Sequence, residues 1–211
     1  ADKIAVENNL FFNELFMYKY SKMYIEFNKI WKKNKENISR IEITFTIPSF
    51  AANSFRNKKN ISSSLIYDVG CYPISLLNDL NIDLASITLN KVVYKNNPNK
   101  EYFEVSINKD FLIIIKFGIR KNYKNEVKLV TNENSQYTFM PFFHGLKISK
   151  LIKYKKNNIT KELAFDDINS FKKMLSTRTN TWKTYYGIDK FKIINNILSL
   201  NKIVKQYNKL N

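Results

Sequence analysis

The sequence predicts an α+β protein whose main element is one large, mostly antiparallel β-sheet covered by helices on one face. The first observation is a series of strand-like segments between residues 84 and 155, joined by short connections rich in Asn and Lys. Short connections favour antiparallel neighbours, because parallel neighbours require a long crossover. The second observation is that helical patterns lie before and after this series. The third is a content of 44% hydrophobic and 15% aromatic residues, which is enough for a folded core.

The chain begins with residues 1–8, which have the pattern of the end of a helix. Residues 10–18 (LFFNELFMY) follow, and their apolar and aromatic side chains predict a buried strand. Ser21 is the predicted N-cap of the next helix, because a Ser hydroxyl can accept a hydrogen bond from the first free N–H groups. One side of this helix carries lysines and the other is apolar, consisting of Met23, Phe27, Ile30 and Trp31.

Residues 41–47 alternate strictly between apolar and polar side chains, and most are β-branched. This pattern predicts a half-buried strand, which Pro48 ends. A polar loop over residues 51–64 comes next, and residues 66–80 then predict a helix.

Strand candidates follow one another through the middle of the chain, at residues 84–94, 101–108, 110–118, 124–131, 135–142 and 145–155. Asp166 and Asp167 are predicted to open a short helix that runs to Leu175, since carboxylates stabilise the first turn of a helix. A last helix is predicted over residues 185–208, where apolar side chains recur at helical spacing.

Several kinds of site are excluded by composition. With four glycines and neither a G-x-G-x-x-G nor a P-loop motif, the sequence has no motif that could cradle a pyrophosphate. Cys71 is the single cysteine, so no internal disulfide is possible, in agreement with a reducing compartment. No apolar run approaches the ~18 residues of a membrane-spanning helix, and the start lacks the pattern of a signal peptide. We therefore expect a cytoplasmic protein.

The net charge of +17 has two interpretations. It can mark a face that binds an anionic partner, such as nucleic acid, a membrane surface or a phosphorylated substrate. It can also reflect a biased composition, because lysines are scattered over every segment and Asn and Ile are abundant throughout. Nucleic-acid readers favour Arg for its bidentate geometry, and the arginines here are few, so the second interpretation is favoured and nucleic acid is not the expected partner.

Asp68 and Tyr72 are four residues apart, so they lie on one face if residues 66–80 form a continuous helix. A carboxylate beside a phenol can exchange a proton with a sugar hydroxyl or carbonyl. Gly70 between them would permit close approach of a ligand to the backbone. The alternative is structural: Asp68 caps a helix that begins near Pro73, and Tyr72 packs in the core. Spacing alone favours the structural alternative.

A resemblance to a known family changes that balance. Residues 62–74 (SSSLIYDVGCYPI) resemble the GGGxLxDxGCYPI segment of the glucose–fructose oxidoreductase and inositol dehydrogenase family (Gfo/Idh/MocA). Residues 14–20 (ELFMYKY) resemble its EAFMYRFHP segment, which opens the C-terminal domain. Residues 55–57 (FRN) resemble its N-x-R loop, and residues 127–142 are similar to its strand pair with an apolar-Pro-Phe corner. The resemblance covers essentially the whole chain.

The resemblance implies that residues 1–211 are a single C-terminal substrate and oligomerisation domain of the glyceraldehyde-3-phosphate-dehydrogenase-like type, with residues 1–9 a remnant of the link from an N-terminal Rossmann domain absent from this sequence. It implies an NAD- or NADP-dependent oxidoreductase that acts on a sugar, a sugar nucleotide or a polyol. The cofactor would be bound mainly by the N-terminal domain, so this chain by itself is expected to be inert.

Residue roles follow from the same resemblance, within a branch that has Tyr at the last position of D-x-G-x-Y. It implies that Tyr72 is the catalytic acid/base and that Asp68 beside it orients the substrate or tunes the site. Arg56 would lie near the substrate, and Tyr18 and Lys19 near the nicotinamide end of the cleft.

The chain departs from the family at three points. Ser62–Ser64 replace the Gly triplet, Ser21-Lys22 replaces the His-Pro pair, and the Lys of the family's EKP motif belongs to the absent domain. These departures leave open a non-catalytic oligomerisation or anion-binding module that retains the fold.

Two residues and one surface complete the expectations. His144 is the single histidine and has no visible cluster of partners, so no metal site is expected. Cys71 is expected to be a small packed residue and not a nucleophile. The resemblance implies that the sheet leaves one face open and that subunits pair through it. Since the strands between residues 84 and 155 are rich in Ile, Phe and Val, an uncovered face would expose an apolar patch, and a homodimer or tetramer through that face is expected. Much exposed charge there would count against this expectation.

Overall fold

The computed structural model describes residues 4, 7–8, 14–48, 66–82, 84, 91–97, 100–119, 122–181 and 188–209. Two groups named above, Arg56 and residues 62–64, lie outside the described residues. Eight strands form one sheet and helices pack beside it, so the predicted α+β class is confirmed.

The first helix, α1 (Lys22–Asn34), follows a short 3-10 turn at Met17–Tyr20. The Ser21 hydroxyl accepts a hydrogen bond from the Tyr24 N–H at 3.0 Å, which confirms the predicted N-cap. The predicted apolar side of α1 faces the core, where the rings of Phe27 and Phe139 lie 5.2 Å apart. The helix predicted from the apolar stripe is therefore present, and the stripe is the buried side.

The strand expected over residues 10–18 is wrong for the part that the structure describes. Residues 14–16 have no regular structure, and Met17–Tyr20 form the 3-10 turn. Apolar runs of this length do not distinguish a strand from any other buried segment, and here Tyr18 is buried without pairing to a strand.

The sheet contains β1 (Ile38–Ile47), β2 (Lys91–Asn97), β3 (Lys100–Asn108), β4 (Leu112–Ile119), β5 (Lys124–Thr131), β6 (Gln136–Met140), β7 (Ser149–Lys156) and β8 (Ile159–Asp166). Their order across the sheet is β2-β3-β4-β1-β5-β6-β7-β8. Every neighbouring pair is antiparallel except β1 and β4.

The place of β1 differs from a simple meander. It lies between β4 and β5, which are consecutive in sequence. The chain between β1 and β2 is long enough to return to the far edge of the sheet, which allows the parallel pairing of β1 with β4. A strand with neighbours on both sides buries its apolar face well, and Ile41 and Ile43 are fully buried.

The last strand, β8, was not predicted. Most of its side chains are exposed and it lies at the edge of the sheet, so it lacks the apolar pattern that identifies strands. It pairs with β7 through a tight turn at Asn157, which has a positive φ of 52°.

The helix predicted to start at Asp166 and Asp167 is wrong at its first residues. Asp166 ends β8, and helix α3 (Ser170–Thr181) begins later. Asp167 instead accepts hydrogen bonds from the backbone N–H of Lys22 at 2.9 Å and of Met23 at 3.4 Å. This aspartate therefore caps α1, which is distant in sequence, and does not start the helix that follows it.

Helix α2 (Cys71–Asp79) and the last helix, α4 (Ile188–Asn208), pack against each other. The start of α4 agrees with the prediction to within three residues, and residues 185–187 lie outside the described part. One sheet face is apolar and packs against the helices, with buried side chains at Ile41, Ile43, Phe103, Val105, Ile113, Ile115, Phe117, Val127 and Leu129.

The opposite sheet face is not the apolar surface that the sequence led us to expect. Glu126 lies between Lys124 at 2.9 Å and Lys128 at 3.3 Å. Further ion pairs on this face join Arg40 to Glu42, Lys116 to Glu104 and Lys153 to Glu162. Alternation along the strands places these charges opposite the apolar side chains, so the argument from an exposed apolar patch does not hold.

Candidate active site

The segment with Asp68 and Tyr72 is a broken helix. Residues 66–68 and Cys71–Asp79 are helical and residues 69–70 form a turn between them, so the helix predicted over residues 66–80 is present but interrupted at residues 69–70. The Tyr72 N–H donates to the Val69 carbonyl at 3.4 Å and the Ile74 N–H to the Gly70 carbonyl at 3.3 Å. The path of the chain stays close to helical. Asp68 is the last residue of the helical turn at residues 66–68 and directly precedes the turn at residues 69–70.

Gly70 is required by packing at this break. A Cβ atom at this position would clash with the Ile66 carbonyl oxygen and with the ring of Phe117 in β4. Ile66 and Phe117 of the core therefore occupy the space beside Gly70 that the sequence led us to assign to a ligand.

Tyr72 lies half-buried in a cluster of aromatic rings. Its ring centroid is 5.1 Å from Phe45, 5.5 Å from Phe16, 5.8 Å from Phe143 and 6.3 Å from Tyr18. Tilted and edge-to-face contacts at these distances are favourable and fix the plane of the ring. The phenol is therefore held in one orientation by four residues from three parts of the chain: residues 16–18, β1 and the loop after β6.

Tyr18 is fully buried, and its hydroxyl donates a hydrogen bond to the Ser75 hydroxyl at 3.3 Å. Burial, with the negative charge of Asp79, holds the pKa of Tyr18 well above its ordinary value. The hydroxyl therefore stays protonated, and Tyr18 supports the Tyr72 ring from inside the core.

Lys19 is paired with a nearly buried carboxylate. Its ammonium lies 2.9 Å from one oxygen of Asp79 and 3.1 Å from the other, and 5.1 Å from the centroid of the Phe16 ring. Tyr24 donates to the same carboxylate at 2.9 Å. The Lys19 side chain is 24% exposed against 5% for Asp79, so the cation is the accessible member of the pair.

Cys71 behaves as a packed thiol. Its Sγ donates to the Asp68 carbonyl at 3.4 Å. Burial, together with the negative charges of Glu14 and Asp68, raises the pKa of Cys71 to about 12. The thiolate is therefore scarce near neutral pH, which argues against a nucleophilic role.

The sequence analysis missed Asp79, Ser75, Phe45 and Phe143. A signal for two of them existed, since Ser75 and Asp79 follow Tyr72 by three and seven residues and so lie on the same side of α2. The two phenylalanines come from β1 and from the loop after β6, and no local pattern connects them to Tyr72.

His144 lies in the loop between β6 and β7. Its Nδ1 accepts a hydrogen bond from the Leu146 N–H at 3.3 Å, and its carbonyl accepts one from Lys150 at 3.0 Å. Burial and the charge of Lys150 lower the pKa of His144, so the imidazole is neutral near pH 7. Among the described residues, no group of three or more His, Cys, Asp or Glu side chains could hold a metal ion.

Comparison with known proteins gives a fold and not a family. No family model and no curated protein matches the chain. Solved structures do match, and they include a 3-ketoreductase and an aldose-aldose oxidoreductase. At identities of 8 to 13%, the likeness shows the fold alone.

The particular structures are these. KijD10, a 3-ketoreductase from Actinomadura kijaniata in complex with NADP and TDP-benzene, matches with a TM-score of 0.71 and 13% identity over 95% of this chain and 62% of its own. A variant of it with one tyrosine replaced by phenylalanine gives 0.74. Aldose-aldose oxidoreductase from Caulobacter crescentus, complexed with glycerol, gives 0.76 at 8% identity over 99% of this chain and 65% of its own. The chain thus spans less than two thirds of the length of these structures.

No helix in the described part of the chain combines the length and the apolar character needed to cross a membrane.

Proposed function

We propose that this chain is the C-terminal catalytic and substrate domain of an NAD(P)-dependent oxidoreductase that acts on a sugar, a sugar nucleotide or a polyol. The observation that carries the proposal is the fold likeness, which extends over 95% of this chain and about 62% of a ketoreductase in complex with NADP and TDP-benzene. Residues 14–20 and 62–74, which resemble the Gfo/Idh/MocA motifs, contain Tyr18, Lys19, Asp68 and Tyr72.

Tyr72 is the proposed acid/base. Oxidation of an alcohol removes a hydride from carbon and a proton from oxygen, and reduction of a carbonyl reverses both transfers. A bound nicotinamide would supply or accept the hydride. The Tyr72 phenol would supply the proton in reduction, and the Tyr72 phenolate would take it in oxidation. The surrounding rings orient the phenol, and Asp68, one residue before the turn at Val69–Gly70, tunes it or orients the substrate.

The cofactor is assigned mainly to an N-terminal domain outside this sequence. The sequence has four glycines and no glycine-rich motif that would cradle a pyrophosphate at a helix start. Lys19 is partly exposed and lies 5.1 Å from the centroid of the Phe16 ring, which in turn contacts Tyr72. An anionic group that approached Lys19 would compete with Asp79. Arg56, outside the described residues, is retained as a proposed substrate contact.

The experiment is the replacement of Tyr72 by Phe in a protein that joins this chain to its cofactor domain. Turnover should fall by roughly 100-fold or more, since general acid–base groups contribute about 10²–10⁴ in rate. Affinity for the reduced cofactor should stay unchanged, as measured by the fluorescence of the bound nicotinamide. Tyr154→Phe is the matched control, because this half-buried tyrosine lies on β7 beside Tyr137.

Equal turnover of Tyr72→Phe and the parent protein would remove Tyr72 from the mechanism. If the joined protein also bound no nicotinamide cofactor, the alternative of a non-catalytic oligomerisation or anion-binding module would take the place of the oxidoreductase. The 211-residue chain alone should show no turnover.

We also propose a homodimer or tetramer through the open sheet face; the support is the family resemblance, whereas the exposed charge of this face counts against it. Since this face carries ion pairs, partners would have to match charge with charge across it. The same ion pairs neutralise lysines of the face locally, which makes a nucleic-acid partner less favourable than the net charge of +17 alone implies.

A further inference from the structure

Three side chains form a hydrogen-bonded chain between the last helix and the candidate active site. Asn196 in α4 donates from Nδ2 to Glu14 Oε2 at 2.6 Å. Its Oδ1 accepts a hydrogen bond from Asn78 Nδ2 at 2.5 Å. Asn78 lies in α2, the helix that contains Tyr72, and Glu14 precedes the 3-10 turn with Tyr18 and Lys19. One amide therefore connects two segments of the site.

The burial of this chain is costly in an interface between two helices. Asn196 is 2% exposed and Asn78 is 8% exposed. The Oδ1 atom of Asn78 and the hydroxyl of Ser199, also in α4, are buried and accept or donate no hydrogen bond. Apolar side chains of similar size would stabilise such an interface at least as well. Stability alone does not explain these polar residues. The two hydrogen bonds of Asn196 instead fix the position of Glu14 relative to Asn78 in α2.

A second hydrogen bond from α4 reaches the other side of the turn. The Tyr67 hydroxyl donates to Asn201 Oδ1 at 2.5 Å, and Tyr67 directly precedes Asp68. Asn196 and Asn201 are five residues apart on α4, so this helix holds both the segment before Asp68 and the helix that follows it.

Glu14 lies two residues before Phe16, whose ring centroid is 5.5 Å from that of Tyr72. Burial raises the pKa of Glu14, and the hydrogen bond from Asn196 and the positive charge of Lys19 act against this rise. The negative charges of Glu14 and Asp68 both act on the thiol of Cys71. The ring contact of Phe16 with Tyr72 and the hydrogen bond from Asn196 to Glu14 thus hold the Glu14 segment against the segment that contains Asp68 and Tyr72.

We propose that Asn196 is a positioning residue that holds Glu14 as a second carboxyl group beside the Asp68–Tyr72 turn, which makes the C-terminal helix part of the candidate active site. The catalytic role of this turn rests on the proposed function, whereas the hydrogen bonds of Asn196 to Glu14 and Asn78 do not depend on it.

The first test measures Glu14 directly in the 211-residue chain. The carboxyl carbon of Glu14 is followed by NMR as the pH is changed, in the parent protein and in Asn196→Leu. The titration midpoint should move up in Asn196→Leu, because the carboxylate loses the hydrogen bond that favours its charged form. Ser199→Ala is the matched control on the same buried side of α4 and should leave the midpoint unchanged. An unchanged midpoint in Asn196→Leu would overturn the proposal.

The second test uses Cys71, the single cysteine, as a reporter of the turn. Glu14→Gln should speed alkylation of Cys71 by about threefold or more at a fixed pH, because removal of a nearby negative charge favours the thiolate. In the Asn196→Leu background, Glu14→Gln should change the rate little, since Glu14 is no longer held near the turn. The same factor in both backgrounds would contradict the positioning role.

If Asn196→Leu does not fold, Asn196→Gln serves as the second variant. It keeps the amide but displaces it by one methylene, and it should reduce the effect of Glu14→Gln in the same way. Both tests use neither substrate nor cofactor, so their failure is distinct from failure of the turnover test on Tyr72.

Discussion

At the scale of single residues, Tyr72 is held by four rings that come from three parts of the chain. Phe16 precedes the first 3-10 turn, Phe45 lies in β1, and Phe143 lies in the loop after β6, and Tyr18 packs from below. A phenol oriented in this way loses little freedom when it meets a substrate. The arrangement depends on the turn at Gly70, which brings the start of α2 against β4.

Gly70→Ala should therefore destabilise the fold by about 1–3 kcal/mol, since an added methyl must displace a backbone carbonyl and a buried ring. Chemical denaturation followed by circular dichroism measures the difference. Cys71→Ala is the control at the next residue, where a Cβ already exists, and should cost less than Gly70→Ala. A Gly70→Ala protein as stable as the parent would mean that Phe117 and the turn can move apart freely.

At the scale of elements, one buried ion pair joins the start of β7 to the residue after β8, and its carboxylate also contacts the start of α1. Lys150 and Asp167 lie 2.8 Å apart with side chains that have no exposed surface. The ammonium also donates to the His144 carbonyl at 3.0 Å, and the carboxylate accepts the Lys22 N–H at 2.9 Å. Every partner of this pair is a hydrogen-bonding group, which is the condition under which a buried pair is tolerated.

Lys150→Met should destabilise the protein by about 3–5 kcal/mol, because it leaves a buried carboxylate without its cation. Lys153→Met, on the same strand, is the matched control: its exposed pair with Glu162 should contribute less than about 1 kcal/mol. Equal losses in the two variants, measured by chemical denaturation, would contradict the importance of burial at Lys150.

The same pair makes stability depend on pH. Burial alone would raise the pKa of Asp167, but the hydrogen bonds from Lys150 and from backbone N–H groups hold it below its ordinary value. A lowered carboxyl pKa in the folded state stabilises the protein above the unfolded pKa of about 3.9, and this contribution is lost as the pH falls through the folded pKa. In Lys150→Met this acid-dependent loss should shrink or reverse, because without the cation the folded pKa of Asp167 rises toward or above its unfolded value.

At the scale of the whole molecule, the sheet presents two different faces. The apolar face packs against the helices, and the other face carries ion pairs with small polar side chains between them. Thr44 lies in register between Lys116 and Glu126 at the centre of this second face. A partner that covered this face would bury charges that are already paired, which costs less than burying free ones.

The proposed oligomer should therefore be seen by sedimentation as a dimer or tetramer that weakens at high salt, because screening acts on partly exposed ion pairs. Thr44→Arg should convert it to a monomer, since a long charged side chain at the centre of the face cannot be accommodated. Thr160→Arg on the edge strand β8 is the control and should leave the association intact. A monomer at all concentrations and salts would exclude this surface as the interface.

Much of the candidate site was predictable because the resemblance lies in contiguous motifs. Asp68 and Tyr72 were named from residues 62–74, and Tyr18 and Lys19 from residues 14–20. Asp79, the partner of Lys19, lies on the helix face of Tyr72 and could have been found from spacing. The sequence places Glu14 in a motif but does not predict its hydrogen bond with Asn196, because the two residues are 182 positions apart.

The sequence by itself determined the α+β class, helix α1 with its Ser21 cap, and strands β3, β4 and β5 to within a few residues, because alternation, helical spacing and capping are local signals. The tertiary structure alone decided that β1 lies inside the sheet, that Asp167 caps a helix 145 residues before it, and that α4 reaches the candidate site through Asn196. These contacts depend on where distant segments pack, and a buried polar residue carries no local mark of the partner it will find.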